Sequence, residues 1–161
     1  MRLLIVRHAV AVPRGTPGVP DKKRPLTKEG RARFAKAARG LARLLDPPDK
    51  LLTSPWLRAA QTARILAKAW GRLEPEETTA LAGGSFEDQA AVLDRLPRES
   101  VVAVVGHEPY LSELLARLVG ARSAERLALK KGGVAVVDVP GKLAGGGTLV
   151  SFLPPGVLRR L

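Results

Sequence analysis

Apolar positions fall into short, nearly continuous runs, and the stretches between them carry helical periodicity. The first run, residues 3–6, is too short for a helix and predicts a buried strand ending at Arg7-His8. Residues 13–25, rich in Pro and Gly, predict a loop. Thr27 is placed to cap a helix reaching about Leu45, with Phe34, Ala38, Leu41 and Leu45 on one face and Lys28, Lys36, Arg39 and Arg43 opposite. Residues 50–53 predict a second strand. Ser54 then reads as a helix cap and Pro55 as the first helical residue, with the helix running through Trp70 to Gly71. Residues 72–85 predict irregular structure or a weak edge strand, and 86–96 a short helix. Residues 101–105 are four valines around one alanine, a strand by composition. Pro109 opens a helix to about Val119, and the apolar runs 134–139 and 148–153, around Gly-rich residues 141–147, predict a closing hairpin.

Strands alternating with helices, each strand apolar on both faces, imply a three-layer α/β/α fold. Its central sheet is mostly parallel, with a C-terminal hairpin. The 161 residues suit one domain spanning 1–161.

Composition narrows the classes. Hydrophobic residues make up 45% of the chain and mean hydropathy is +0.01, which excludes a disordered tail protein. No apolar run approaches the ~20 residues of a membrane span, and the start MRLLIVRHAV lacks the long apolar core of a signal peptide. A cytoplasmic protein, acting as a monomer away from membranes, is expected. With no cysteine and two histidines, thiolate chemistry is excluded and a His-rich metal site is not expected. Asn is absent and Gln occurs only at 61 and 89, alongside 13 prolines. That fits a heat-adapted source, or equally GC-rich coding. The net charge is +12, and residues 1–50 carry thirteen Lys/Arg against four Asp/Glu, which points to an anionic partner.

In an open parallel sheet, ligands bind beyond the carboxyl ends of the strands. There the first strand delivers Arg7 and His8. The second leads to Arg58 in the first helical turn, where a cation opposes the helix dipole unless an anion is near. The third delivers Gly106-His107 before another helix start. Two imidazoles, two guanidiniums and two helix N-termini suit a dianion such as phosphate. Imidazole, with an ordinary pKa of about 6.5, is the natural nucleophile toward phosphorus at neutral pH. In-line transfer of a phosphoryl group to a histidine, then attack by water, is the reaction this set of groups predicts. No metal or other cofactor is called for. Trp56 and Trp70 read as packing residues.

The segments LLIVRHA at 3–9, RPLTKEG at 24–30, SPWLRAAQTA at 54–63 and VVGHEP at 104–109 resemble the histidine phosphatase superfamily, which includes the phosphoglycerate mutases. Among its members the chain is most similar to the small SixA-type phosphohistidine phosphatases. The resemblance implies a phosphoglycerate mutase-like fold and makes His8 the phosphorylated nucleophile, with Arg7, Arg58 and His107 completing the phosphate pocket. Ala9 stands where the family signature has Gly, which requires a negative φ that a strand exit permits.

The stretch from Gly71 to Val101 is short, where several relatives use insertions that cover the substrate and supply a carboxylic acid. The candidates for such an acid here are Asp21, Glu76, Glu77, Glu87, Asp88 and Glu108. An open, shallow site is expected, reached by a phosphohistidine on a protein or by a small phosphorylated compound. The missing cover argues against a mutase. The alternatives are a sugar-phosphate or nucleotide phosphatase and, from another class, a basic nucleic-acid-binding module. The pI of 11.1 suggests the module, but no specific nucleic-acid motif and only 4% aromatic residues support it.

Overall fold

Leu3, Leu4, Ile5 and Val6 are all fully buried, as a central strand covered on both faces requires. In the computed structural model, which describes residues 1–71 and 73–161, β1 (Arg2–Arg7) lies at the middle of a six-stranded sheet. Position 72, the first of the stretch expected to be irregular, lies outside the described residues. On one side β1 pairs in parallel with β4 (Val101–Gly106), which pairs with β2 (Lys50–Thr53), which pairs with the two-residue β3 (Glu76–Glu77). On the other side β5 (Val134–Asp138) runs antiparallel to β1, and β6 (Thr148–Leu153) closes the hairpin at the edge. The fold is therefore α/β with a mostly parallel sheet, as expected.

The alternation along β1 sorts the core into two layers. Leu4 and Val6 face α1 (Lys28–Leu44) and α2 (Leu57–Trp70), joined by Leu158 of the short α5 (Pro155–Leu158). Leu3 and Ile5 face α3 (Phe86–Leu93) and α4 (Tyr110–Val119). Thr27 caps α1 through Gly30 N–H, and Ser85 and Asp88 form a reciprocal capping box on α3.

Two boundaries depart from expectation. The helix after β2 begins at Leu57, with Trp56 as its cap residue, so Ser54 is not its cap and Pro55 precedes it. Ser54 instead continues the strand by one step, its N–H donating to Val105 O at 2.9 Å. The helix at 86 ends at Leu93 rather than 96.

The sheet register positions the site. Arg7 is the partner of Gly106, so His8 and His107 each stand one residue past the end of adjacent parallel strands. His8 N–H donates to Gly106 O at 3.0 Å, continuing the ladder.

Candidate active site

Adjacent strands lie about 4.8 Å apart, and the ring centroids of His8 and His107 are 5.1 Å apart. The sheet spacing alone thus brings together two histidines separated by most of the chain. Arg58, one residue into α2, reaches the same point, and Arg7 leaves β1 beside them. All four residues expected at the site converge.

His8 is held in one tautomer. Its Nδ1 lies 2.7 Å from the carbonyl oxygen of Ala9, which can only accept, so Nδ1 carries the proton. Nε2 keeps its lone pair and accepts from Arg58 Nε–H at 3.2 Å. Ala9 is fixed in turn, its N–H donating to Thr62 Oγ1 at 3.0 Å. Among the described residues no non-glycine has positive φ, so alanine serves in the place of the signature glycine without strain. Burial pushes His8 down to about 3, Arg58, Arg7 and Lys131 adding to the shift and the Ala9 hydrogen bond opposing it. The ring is neutral at physiological pH.

His107 differs in its support. Its Nε2 lies 2.8 Å from Ser54 Oγ, which already accepts from Trp56 N–H at 3.2 Å. If the Ser54 hydrogen goes to His107 Nε2, the ring proton sits on Nδ1, a buried atom with no partner. Burial first, then the neighbouring His8 and Arg58, pushes His107 to about 3 as well.

Arg58 is clamped from the other side. Its Nη1 donates to Asp21 O at 2.8 Å, and its Nη2 is 3.5 Å from the Asp21 carboxylate. Burial, with Arg24 nearby, lowers Arg58 to about 10, still a cation at neutral pH. Burial works to raise the Asp21 carboxyl, but Arg24, Arg58 and Arg14 outweigh it and hold Asp21 below the ordinary carboxylate range. Arg7 spends Nη1 on Leu129 O at 2.6 Å, and its buried Nε has no partner. Arg7 Nε and, with the Ser54 hydrogen on His107 Nε2, His107 Nδ1 are therefore buried donors without an acceptor, as a bound oxyanion would supply.

The candidate acids separate by their engagements. Glu108 spends one oxygen on Leu129 N–H at 2.8 Å and the other on Ser112 N–H at 3.2 Å. Glu76 pairs with Lys50, Glu87 with Arg117, and Asp88 caps α3. Asp21 touches Arg58 but is held ionised, and Glu77 lines the groove beside Trp56.

Two contributors lie outside the sequence expectation. Trp56 is not a plain packing residue: its ring lies 4.7 Å from that of His107, and the Arg58 guanidinium carbon sits 4.7 Å over it. Trp70 does pack, donating Nε1–H to Leu45 O. Lys131 stands in the turn whose Gly132 N–H donates to the carbonyls of both Arg7 and His8. Burial, then Arg7, Arg24 and Arg58, lowers it. Its sequence signal is a Lys-Lys-Gly-Gly turn directly before an apolar strand. The site is also deeper than open and shallow implies: His8, His107 and Arg58 are only 6%, 3% and 2% exposed.

The histidine phosphatase superfamily (branch 1) model matches residues 3–90, a span holding Arg7, His8 and Arg58. An uncharacterised protein of Picosynechococcus is 36% identical over 137 residues, 83% of this chain and 82% of its own. The solved structure of the protein histidine phosphatase SixA complexed with tungstate matches with a TM-score of 0.84 and 26% identity, over 98% of this chain and 99% of that one. A protein named as a SixA phosphohistidine phosphatase in Nakamurella multipartitia matches at 0.76 and 25%, over 96% and 95% of the two chains.

Proposed function

The chain belongs to branch 1 of the histidine phosphatase superfamily, and from that premise we propose that it hydrolyses phosphohistidine on proteins, with His8 as the residue that carries the phosphoryl group. That it is a phosphate-releasing hydrolase follows from the family; the substrate and the roles of individual residues are the proposal.

The observation that carries it is the state of His8: neutral, Nδ1–H tied to Ala9 O, Nε2 lone pair among cations. In the first step Nε2 forms a bond to phosphorus as the P–N bond to the substrate imidazole breaks, and that imidazole takes a proton from solvent. In the second, water attacks phosphorus, the bond to His8 breaks, and the water proton leaves with inorganic phosphate. Arg7, Arg58 and His107 donate to the equatorial oxygens, where charge develops.

The likeness to a protein histidine phosphatase over nearly both whole chains supports the substrate class. The carboxyl inventory supports it further. Among the described residues no carboxyl is hydrogen-bonded to His8, and Asp21, Glu76, Glu87, Asp88 and Glu108 are each engaged elsewhere; an imidazole leaving group has little need of an acid.

The test is a panel of phosphohistidine peptides and proteins, aryl phosphates, sugar phosphates and nucleotides, with His8→Ala as the blank and a chelator in parallel. Phosphohistidine is expected to show the highest kcat/KM, with turnover insensitive to the chelator. A sugar phosphate or nucleotide turned over more efficiently than every phosphohistidine substrate overturns the reading.

A further inference from the structure

A surface groove of about 630 Å³ adjoins the site. Its lining combines the apolar Pro55, Trp56, Leu57 and Ala60 with the cations Lys22, Lys23 and Arg64 and the single carboxylate of Glu77. None of these three cations has an ion-pair partner among the described residues. The groove is continuous with the site through one side chain, because the Trp56 ring that lines it also touches His107 and Arg58.

We infer that this groove binds the polypeptide flanking the phosphorylated residue and selects a flank that is apolar and acidic; the inference rests on the protein-phosphohistidine reading. Three lining cations without an ion-pair partner among the described residues attract carboxylates. The one aromatic ring among the described residues lining the groove, Trp56, already contacts the His107 ring and the Arg58 guanidinium, which leaves a poor platform for stacking successive bases. An acidic peptide with apolar side chains satisfies both features, and a nucleic acid satisfies only the charge. The basic excess of the N-terminal third thereby finds a partner at Lys22 and Lys23, one and two residues past the Asp21 that clamps Arg58.

Binding and turnover can be tested separately. An unphosphorylated 12-residue peptide alternating Glu or Asp with Leu or Val is titrated against the protein, beside its Gln/Asn counterpart and a single-stranded oligonucleotide of equal charge. Trp70→Phe leaves Trp56 as the sole tryptophan reporter, and calorimetry on the unmodified protein gives the same constant without the substitution. The acidic peptide is expected to bind more tightly than the neutral one. That binding should weaken with salt and fall about tenfold in the triple variant Lys22→Gln, Lys23→Gln, Arg64→Gln, the order expected for a few screened surface charges. In turnover, the ratio of kcat/KM for an acidic phosphohistidine peptide to that for an aryl phosphate should fall by a similar factor. Equal binding of the two peptides, an unchanged ratio, or tighter binding of the oligonucleotide overturns the inference. If the acidic peptide binds as described but no phosphohistidine is hydrolysed, it is the substrate reading of the site that fails.

Discussion

Arg58 donates its Nε–H to His8 Nε2 at 3.2 Å, so in the resting site the atom proposed to attack phosphorus is already hydrogen-bonded. The two other nitrogens of the same guanidinium face Asp21. A phosphoryl group must therefore take Arg58 from His8 and accept its N–H itself, which converts a resting contact into a transition-state one. Arg58→Ala is expected to lower kcat by roughly two or more orders of magnitude, the range for loss of an oxyanion donor. It should also weaken competitive inhibition by vanadate, whose trigonal-bipyramidal geometry mimics in-line transfer. Arg58→Lys should not rescue, because one ammonium cannot reach His8 and Asp21 as a fork does. Unchanged kinetics in Arg58→Ala would remove this residue from the phosphate pocket.

Both histidines are pushed to about 3 by burial. Below the ordinary value of about 6.5 the unfolded chain takes up protons at both rings, while the folded chain does so only near 3. Folding stability should therefore fall as pH drops from about 6.5 toward 3, each histidine contributing up to about 1.4 kcal/mol per pH unit inside that window. Asp21, with its lowered pKa, adds the same sign of dependence but only from about pH 4 downward. Denaturant melts between pH 4.5 and 7 isolate the histidines, and His107→Gln should roughly halve the slope there. A slope unaffected by that substitution would mean His107 is not buried neutral.

The Ser54 hydroxyl is the hydrogen-bond partner of His107 Nε2, and donation from it would put the ring proton on Nδ1. Ser54→Ala removes the partner of Nε2, and the ring is then free to carry its proton on either nitrogen. Nitrogen chemical shifts of the imidazole should show the Nδ1–H tautomer in the parent chain and a mixture in the variant. Turnover should drop by about tenfold or more, with Ser54→Thr restoring most of it. An Nε2–H tautomer in the parent chain would reverse the direction of this hydrogen bond.

How much of this was legible in the sequence depended on the range of the interaction involved. The strands show because runs such as residues 3–6 are buried on both faces, a local pattern. The convergence of His8 and His107 shows because each ends an apolar run, and parallel strands deliver their C-terminal residues to one rim. Ser54-Pro55 misleads because the local helix-start chemistry is genuine, yet the stronger demand there is tertiary: Ser54 Oγ is needed at His107. Trp56 and Lys131 were not legible as site neighbours, since nothing local marks a tryptophan that stacks on a residue 51 positions away or a lysine whose turn is hydrogen-bonded to β1. The engagement of Glu108 by two backbone amides was equally invisible.

Two glycines of α1 should separate stability from activity. A Cβ at Gly40 would lie 1.9 Å from Leu158 O, and one at Gly30 would lie 2.2 Å from Val10 O. Glycine to alanine inside a helix normally gains about 1 kcal/mol, but overpacking against backbone costs about 1–3 kcal/mol or more, so both substitutions should destabilise. Gly40→Ala pushes α5 from α1, away from the site, and should lower Tm with little change in kcat. Gly30→Ala pushes on Val10, two residues after His8, and should lower both. A Gly40→Ala variant with a raised Tm would show that α5 does not pack as described.

His8 and His107 are the same residue type, equally neutral, with rings 5.1 Å apart, so their proposed division of labour rests on which nitrogen each presents. His8 is anchored through Nδ1–H and presents a lone pair at Nε2. His107 is anchored through Nε2 and, in the arrangement described, presents a proton at Nδ1. A lone pair attacks and a proton stabilises oxygen; His8 cannot exchange roles without breaking its Nδ1–H bond to Ala9 O, and His107 could do so only by reversing its hydrogen bond with Ser54. His8→Ala should therefore abolish the phosphoryl-enzyme and turnover together. His107→Ala should slow both formation and hydrolysis of the intermediate while leaving it detectable, because Arg7 and Arg58 remain to hold the phosphate. Rapid quench with labelled substrate, stopped in alkali to preserve phosphohistidine, should find the label on His8. Label on His107 alone would exchange the two roles. The absence of label with inversion at a chiral phosphorus would make His8 a general base that activates water for direct attack.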